Sequence, residues 1–286
     1  MLSEPCEHVE IVIWVRNKKF YRFFFNSMHI NSILKHALGI HGKPYVAWDG
    51  AEGDPSIYSH YSGYCAHDNN LFPTWHRPYL ALFEEVLFLN ARQAIAEFPA
   101  GALKDRYWKA LPRLRIPYWD WASPPLINET TMPLSVQRPA VNVTLFNGTI
   151  EIPNPLHSYI FHPTPNWVRG SKRQRMWLIS SQEAEFDERW KLWNSTMRDP
   201  DSNEANATSR NDQVAEALDG NRPNMQERVF NLLALEHGYL NMSNKLQMGD
   251  SLESIHGTIH DTCGMNGTMT WLWYSAFDPI FWLHHA

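Results

Sequence analysis

The sequence predicts a mainly α-helical fold: a bundle with long irregular loops and few short strands. Two patterns carry the helices and one carries the loops. In "LFPTWHRPYLALFEEVLFLNARQAIAEF" the apolar residues Leu80, Phe83, Leu87 and Ala91 fall on one helical face. The same patterning returns over 176–197 and over 212–240, the latter with Val229, Leu232, Leu233, Leu235 and Leu240. Between them, residues 123–175 are punctuated by prolines from Pro124 to Pro165, which reads as an irregular surface excursion within one domain.

Taken in chain order, residues 1–40 form a poorly defined segment. "IVIWVRNKKFYRFFFNSMHINSILKHAL" mixes a strand-like apolar run with weak helical patterning. Residues 41–286 hold the sharper signals and are assigned as the functional domain. Its first helix is expected to open at Pro78, since proline is tolerated in a first turn. "DSLESIHGTIHD" predicts a second well-marked helix, begun by Asp250 or Ser251 as a cap. The chain then runs through "AFDPIFWLHHA" to Ala286.

Composition narrows the function classes. Of 286 residues, 44% are hydrophobic and 19% charged, enough apolar content for a substantial core. Net charge is −5 with no Lys/Arg block, so no nucleic-acid partner is expected. No apolar run approaches the ~20 residues of a membrane-spanning helix. Cys6, Cys65 and Cys263 are too few for a disulfide scaffold; with Cys65 otherwise engaged, Cys6 and Cys263 are the pair left. Sequons begin at Asn128, Asn142, Asn147, Asn194, Asn206, Asn241 and Asn266, where chance gives roughly two. They predict a secreted glycoprotein. "EPCEHVE" interrupts any signal peptide, so the N-terminus is expected to be incomplete.

The chemistry lies in the histidines. There are 14, unevenly placed. His256 and His260 are four apart, so one helix offers both imidazoles on one face. A zinc-protease helix would carry Glu directly after the first histidine, but Gly257 stands there. His67 and His76, with His41 upstream, form a second group, and His284–His285 close the chain. His60 is a rival to His41. Six imidazoles in two groups of three imply two metal ions, and all-nitrogen coordination favours copper or zinc over calcium or magnesium. Without carboxylate or thiolate ligands, redox copper is favoured over hydrolytic zinc.

The stretches "IHGKPYVAWDG", "GYCAHDNNLFPTWHRPYLALFEE", "IPYWDWA", "SLESIHGTIHD" and "FDPIFWLHH" resemble the type-3 copper family of tyrosinases and catechol oxidases, in particular its short ascomycete forms. The resemblance implies a helical bundle around a central dinuclear copper site, with molecular oxygen as co-substrate and a small phenol as substrate. His41, His67 and His76 would hold one copper; His256, His260 and His285 would hold the other, with His284 a neighbour. Cys65 matches the cysteine that fungal members join to the ligand two residues on, here His67, as a thioether. Asp278 and Trp75 would support the ligand helices.

Glu253 is either the family's water-orienting glutamate or a capping carboxylate in the first helical turn. Gly257 stands where strong monophenol hydroxylases often have Asn, which favours diphenol or o-aminophenol oxidation. Family members continue beyond the last histidine, so the domain is expected to be incomplete at its C-terminus. The rival functions are haemocyanin-like oxygen binding and an inactive truncated remnant. Oligomeric state and the natural phenol are not legible.

Overall fold

A computed structural model of the chain describes residues 37–43, 45–51, 64–160, 189–190, 192–236, 238–245 and 249–286. The segment 1–36 and most of the expected helix over 176–197 lie outside these residues.

The first long helix, α1, spans Phe72–Ala96 and not the stretch from Pro78. Asn69 explains the earlier start. Its side-chain oxygen accepts from the backbone of Leu71 (2.9 Å) and its carbonyl from Phe72 (3.1 Å), so the chain is wound before Pro73. Pro73 takes the first-turn position that suits it, while Pro78 sits inside the helix and costs one ladder bond. The fully buried face is Phe72, His76, Tyr79 and Val86; Leu80 and Phe83 are half-buried beside it.

After α2 (Ala102–Ala110) and a helical turn α3 (Leu134–Gln137), the proline-rich region departs from expectation. It contains an antiparallel hairpin, β1 (Ala140–Leu145) with β2 (Gly148–Pro153), paired from Ala140↔Pro153 to Leu145↔Gly148. Period-two alternation drives it. Val143, Leu145 and Ile152 point onto a satellite core of Ile95, Phe98, Tyr107 and Leu111. The prolines only delimit the hairpin.

Helix α4 (Asn211–Leu235) stops short of residue 240, and a separate turn α5 covers Tyr239–Ser243. Glu236 is already extended (ψ 122°), and its carboxylate accepts from Gly238 N at 2.6 Å, breaking the helix there. The apolar stripe therefore ends at buried Leu232; Leu233, Leu235 and Leu240 are exposed. Helix α6 (Leu252–Gly264) starts at Ser251, which exchanges bonds with Ser254: Ser254 N donates to Ser251 Oγ (3.1 Å) and Ser251 N to Ser254 Oγ (2.8 Å). Asp250 instead pairs with Arg228 at 2.6 Å. The last helix, α7, is Ile280–His285.

The main core packs α1, α4, α6 and α7 around Tyr79, Leu218, Ile255, Ile259 and Phe281, and Trp190 stacks on Tyr274 at 4.0 Å. Cys263 in α6 is a free, fully buried thiol; Cys6, its expected partner, lies outside the described residues. Glycines fix close approaches. A Cβ at Gly42 would overlap the Trp273 carbonyl, and one at Gly264 would overlap Thr270.

Candidate metal centre

Each predicted histidine except His60, which lies outside the described residues, enters one buried centre. His41 ends a helical piece over 37–41 that Tyr79 holds against α1 by donating its hydroxyl to Ala37 O (2.8 Å). Lys43 N donates to Trp273 O at 2.9 Å, close to the Gly42 contact. The Cys65 thiol donates to His41 O at 3.0 Å. His67 follows in a loop and His76 projects from α1. Their rings lie 5.5 Å (His41–His67), 5.5 Å (His41–His76) and 5.1 Å (His67–His76) apart.

The second cluster needs fewer pieces. His256 and His260 share a face of α6, their Nε2 atoms 3.0 Å apart. His285 comes from α7, its ring 4.3 Å from His256 and 5.1 Å from His260. Asp278 anchors that helix, as expected. It accepts from Ile280 N (3.1 Å) and takes both arms of Arg198 at 2.8 and 2.5 Å in a fully buried pair. The clusters face each other across 5.6 Å (His76–His285) and 6.3 Å (His76–His256).

Ring tautomers follow from the carbonyls around them. His76 Nδ1 lies 2.7 Å from Phe72 O, His260 Nδ1 2.8 Å from Met269 O and His285 Nδ1 2.8 Å from Phe281 O. A carbonyl only accepts, so each Nδ1 carries the proton and each Nε2 carries a lone pair. Among the described residues the Nε2 atoms of His76 and His285 are buried with no hydrogen-bond partner. Leaving such atoms unpaired is costly unless something else binds them. Burial is the main cause that holds all six imidazoles neutral, and neighbouring imidazoles add to it at most of them; His76 and His260 are lowered to about 4. Neutral, inward-facing imidazoles are what a transition metal binds. The donor atoms of His256, His260, His284 and His285 lie within 4.8 Å of one another, as do those of His41, His76 and His285, and those of His41, Cys65 and His67.

Glu253 is 3% exposed, and the cap position it was expected to compete for is filled by Ser251 and Ser254. Its carboxylate reaches the first cluster: Oε1 accepts from Asp68 N at 2.7 Å and lies 3.3 Å from His67 Nδ1, and Oε2 accepts from Lys245 N at 3.2 Å. Burial raises its pKa, and the Lys245 backbone N–H and ammonium oppose that rise. Burial likewise keeps Cys65 a protonated thiol. Around Gly257 a Cβ would meet nothing within 4 Å among the described residues. Trp75 stacks on Tyr79 (5.1 Å) and packs edge-on against His76 (4.9 Å).

Two residues of the centre are not singled out by the sequence. Phe281 stacks on His285 at 3.7 Å and meets His41 at 4.8 Å. Phe72 touches His67, His76 and His256 at 5.4, 4.6 and 5.1 Å. Each stands four residues before a histidine on its own helix, a spacing that signals a shared face. His284, expected as a neighbour of the ligands, stacks on His256 at 4.1 Å beside Trp119 and Trp121. All seven sequon asparagines are exposed. Among the described residues no helix is long and apolar enough to cross a membrane.

Comparison with known proteins agrees with the histidine pattern. Residues 31–286 match the family model of the common central domain of tyrosinase. A tyrosinase of Neurospora crassa is 36% identical over 262 residues, which is 87% of this chain and 36% of that one. A tyrosinase of Podospora anserina is 33% identical over 87% of this chain and 42% of its own length. The chain thus spans less than half of these curated relatives. Among solved structures, latent and active mushroom tyrosinase superposes with a TM-score of 0.70 at 28% identity, covering 95% of this chain and 69% of that one. Proteins of this kind use a pair of copper ions with dioxygen, and the buried neutral imidazoles fit that requirement. The match over 31–286 establishes that the chain belongs to the tyrosinase family.

Proposed function

We propose that the chain is a copper-dependent phenol-oxidising domain that converts small o-diphenols to o-quinones. Two diphenols each give up two electrons and two protons, and one dioxygen becomes two waters. His41, His67 and His76 hold one copper, and His256, His260 and His285 hold the other. The observation that carries this reading is the set of Nδ1–H groups committed to backbone carbonyls at His76, His260 and His285, which leaves Nε2 lone pairs turned inward. When bound, the copper pair supplies the electron exchange with dioxygen.

The chain's own part is to hold neutral imidazoles in place, to keep the centre dry and to receive the phenol ring. Cys65 completes the first cluster by a thioether to His67, an S–C bond replacing an S–H and a ring C–H while dioxygen takes two electrons and two protons. The short reach among His41, Cys65 and His67 supports that link. Gly257 supports a preference for diphenols, because it offers no side-chain amide beside His256 to orient a water near a monophenol. The seven exposed sequon asparagines support passage through a secretory pathway.

Oxygen uptake by copper-loaded protein tests the reading. Catechol is expected to be turned over faster than tyrosine, and Gly257→Asn, which has open space to enter, is expected to raise tyrosine hydroxylation. Protein that binds two coppers and dioxygen but turns over no catechol would be an oxygen carrier instead.

A further inference from the structure

We infer that Glu253 is a positioning residue that fixes His67 from across the site, tying the second-cluster helix to the first-cluster loop. The inference rests on the copper reading above and gives Glu253 a different task from orienting a water. The carboxylate is 3% exposed and sits in α6, 185 positions along the chain from the Asp68 N–H it binds. Its oxygens offer about four lone-pair directions. Asp68 N occupies Oε1 and Lys245 N occupies Oε2, so two of those directions go to this protein's own backbone, and His67 Nδ1 lies 3.3 Å from Oε1.

The loop it grips has a reason to need gripping. Asp68 holds a left-handed backbone (φ 53°), which is unfavourable for a residue with a Cβ. That turn aims the Asp68 N–H at Glu253, and Lys245 Nζ closes the other side with Asp68 Oδ1 at 2.9 Å. In the same grip a carboxylate oxygen beside His67 Nδ1 favours the proton on that nitrogen. Backbone carbonyls do this for His76, His260 and His285. At His67, which lies in a loop, Glu253 Oε1 stands 3.3 Å from Nδ1.

The test compares wild type with Glu253→Gln and Glu253→Ala. Histidine 15N shifts of the metal-free proteins report the His67 tautomer, and equilibrium copper titration reports each affinity. Wild type is expected to carry the His67 proton on Nδ1. In Glu253→Ala that preference is expected to be lost and one of two copper affinities to fall roughly 10- to 100-fold. Glu253→Gln keeps an oxygen for Asp68 and His67, so it is expected to retain the tautomer and most of the affinity. An unchanged His67 tautomer with unchanged copper affinities in Glu253→Ala would overturn the inference, above all if turnover alone fell. Should wild type take up no copper, the copper reading fails; a His67 proton on Nδ1 in wild type, lost in Glu253→Ala, would still uphold the grip, and any other tautomer result would overturn it.

Discussion

The two histidine clusters hold the same side chains by different means. The second is local: His256 and His260 share one capped helix, and His285 comes from a six-residue helix pinned by Asp278. The first is assembled from a helical piece over 37–41, a loop and α1, and is held by contacts distant in sequence. These are Tyr79 on Ala37, Cys65 on His41, Lys43 on Trp273 and Glu253 on Asp68. A cluster written into helix periodicity tolerates change around it. One stitched together by long-range contacts fails when a remote residue changes.

The largest effect is expected where the clusters behave alike. Buried His76 and His260, one from each, are lowered from 6.5 to about 4 in the fold. Between those values the unfolded chain binds protons that the folded chain refuses. Stability of metal-free protein is therefore complete above about pH 6.5. It is lost as pH falls towards 4, by up to about 1.4 kcal/mol per pH unit for each such histidine. Denaturant midpoints measured across that range check it.

Next in size is Asp278→Ala, which leaves Arg198 charged, buried and unpaired, at a cost of about 3–5 kcal/mol. Chemical denaturation should show the loss, with weaker copper binding confined to the second cluster. Gly42→Ala acts on the first. Its Cβ meets backbone that cannot swing aside, so a cost of about 1–3 kcal/mol and a weakened first copper are expected, read by titration. Smallest is Ser251→Ala, which removes one half of the capping exchange for about 1 kcal/mol of thermal stability and leaves both copper affinities intact. Equal copper losses in Gly42→Ala and Asp278→Ala would erase the contrast between the clusters.

The same contrast governs what the sequence discloses. The four-residue spacing of His256 and His260 and the Ser251 cap are short-range signals, and they are legible. Which atoms approach His67 is not, because Glu253 reaches it through the fold and nothing local marks the pairing. In sequence Glu253 reads as a capping carboxylate or a water-orienting one; in the fold Ser251 and Ser254 form the cap and Asp68 N takes the carboxylate. Prolines mislead twice. Pro78 reads as a helix start although Asn69 winds the chain earlier. The prolines around 140–153 hide the period-two alternation of Val143 and Leu145. Leu240 repeats the helical period beyond Gly238, where the chain has already turned, and Leu233 and Leu235 close α4 on its exposed side.

Copper per chain in folded protein, measured by elemental analysis for wild type, His76→Ala and His260→Ala, tests the central claim most directly. Two are expected for wild type and about one for each variant, since each removes an inward-facing lone pair from a different cluster. Folded wild-type protein that retains no copper, or retains only one and loses it in both variants, would contradict it.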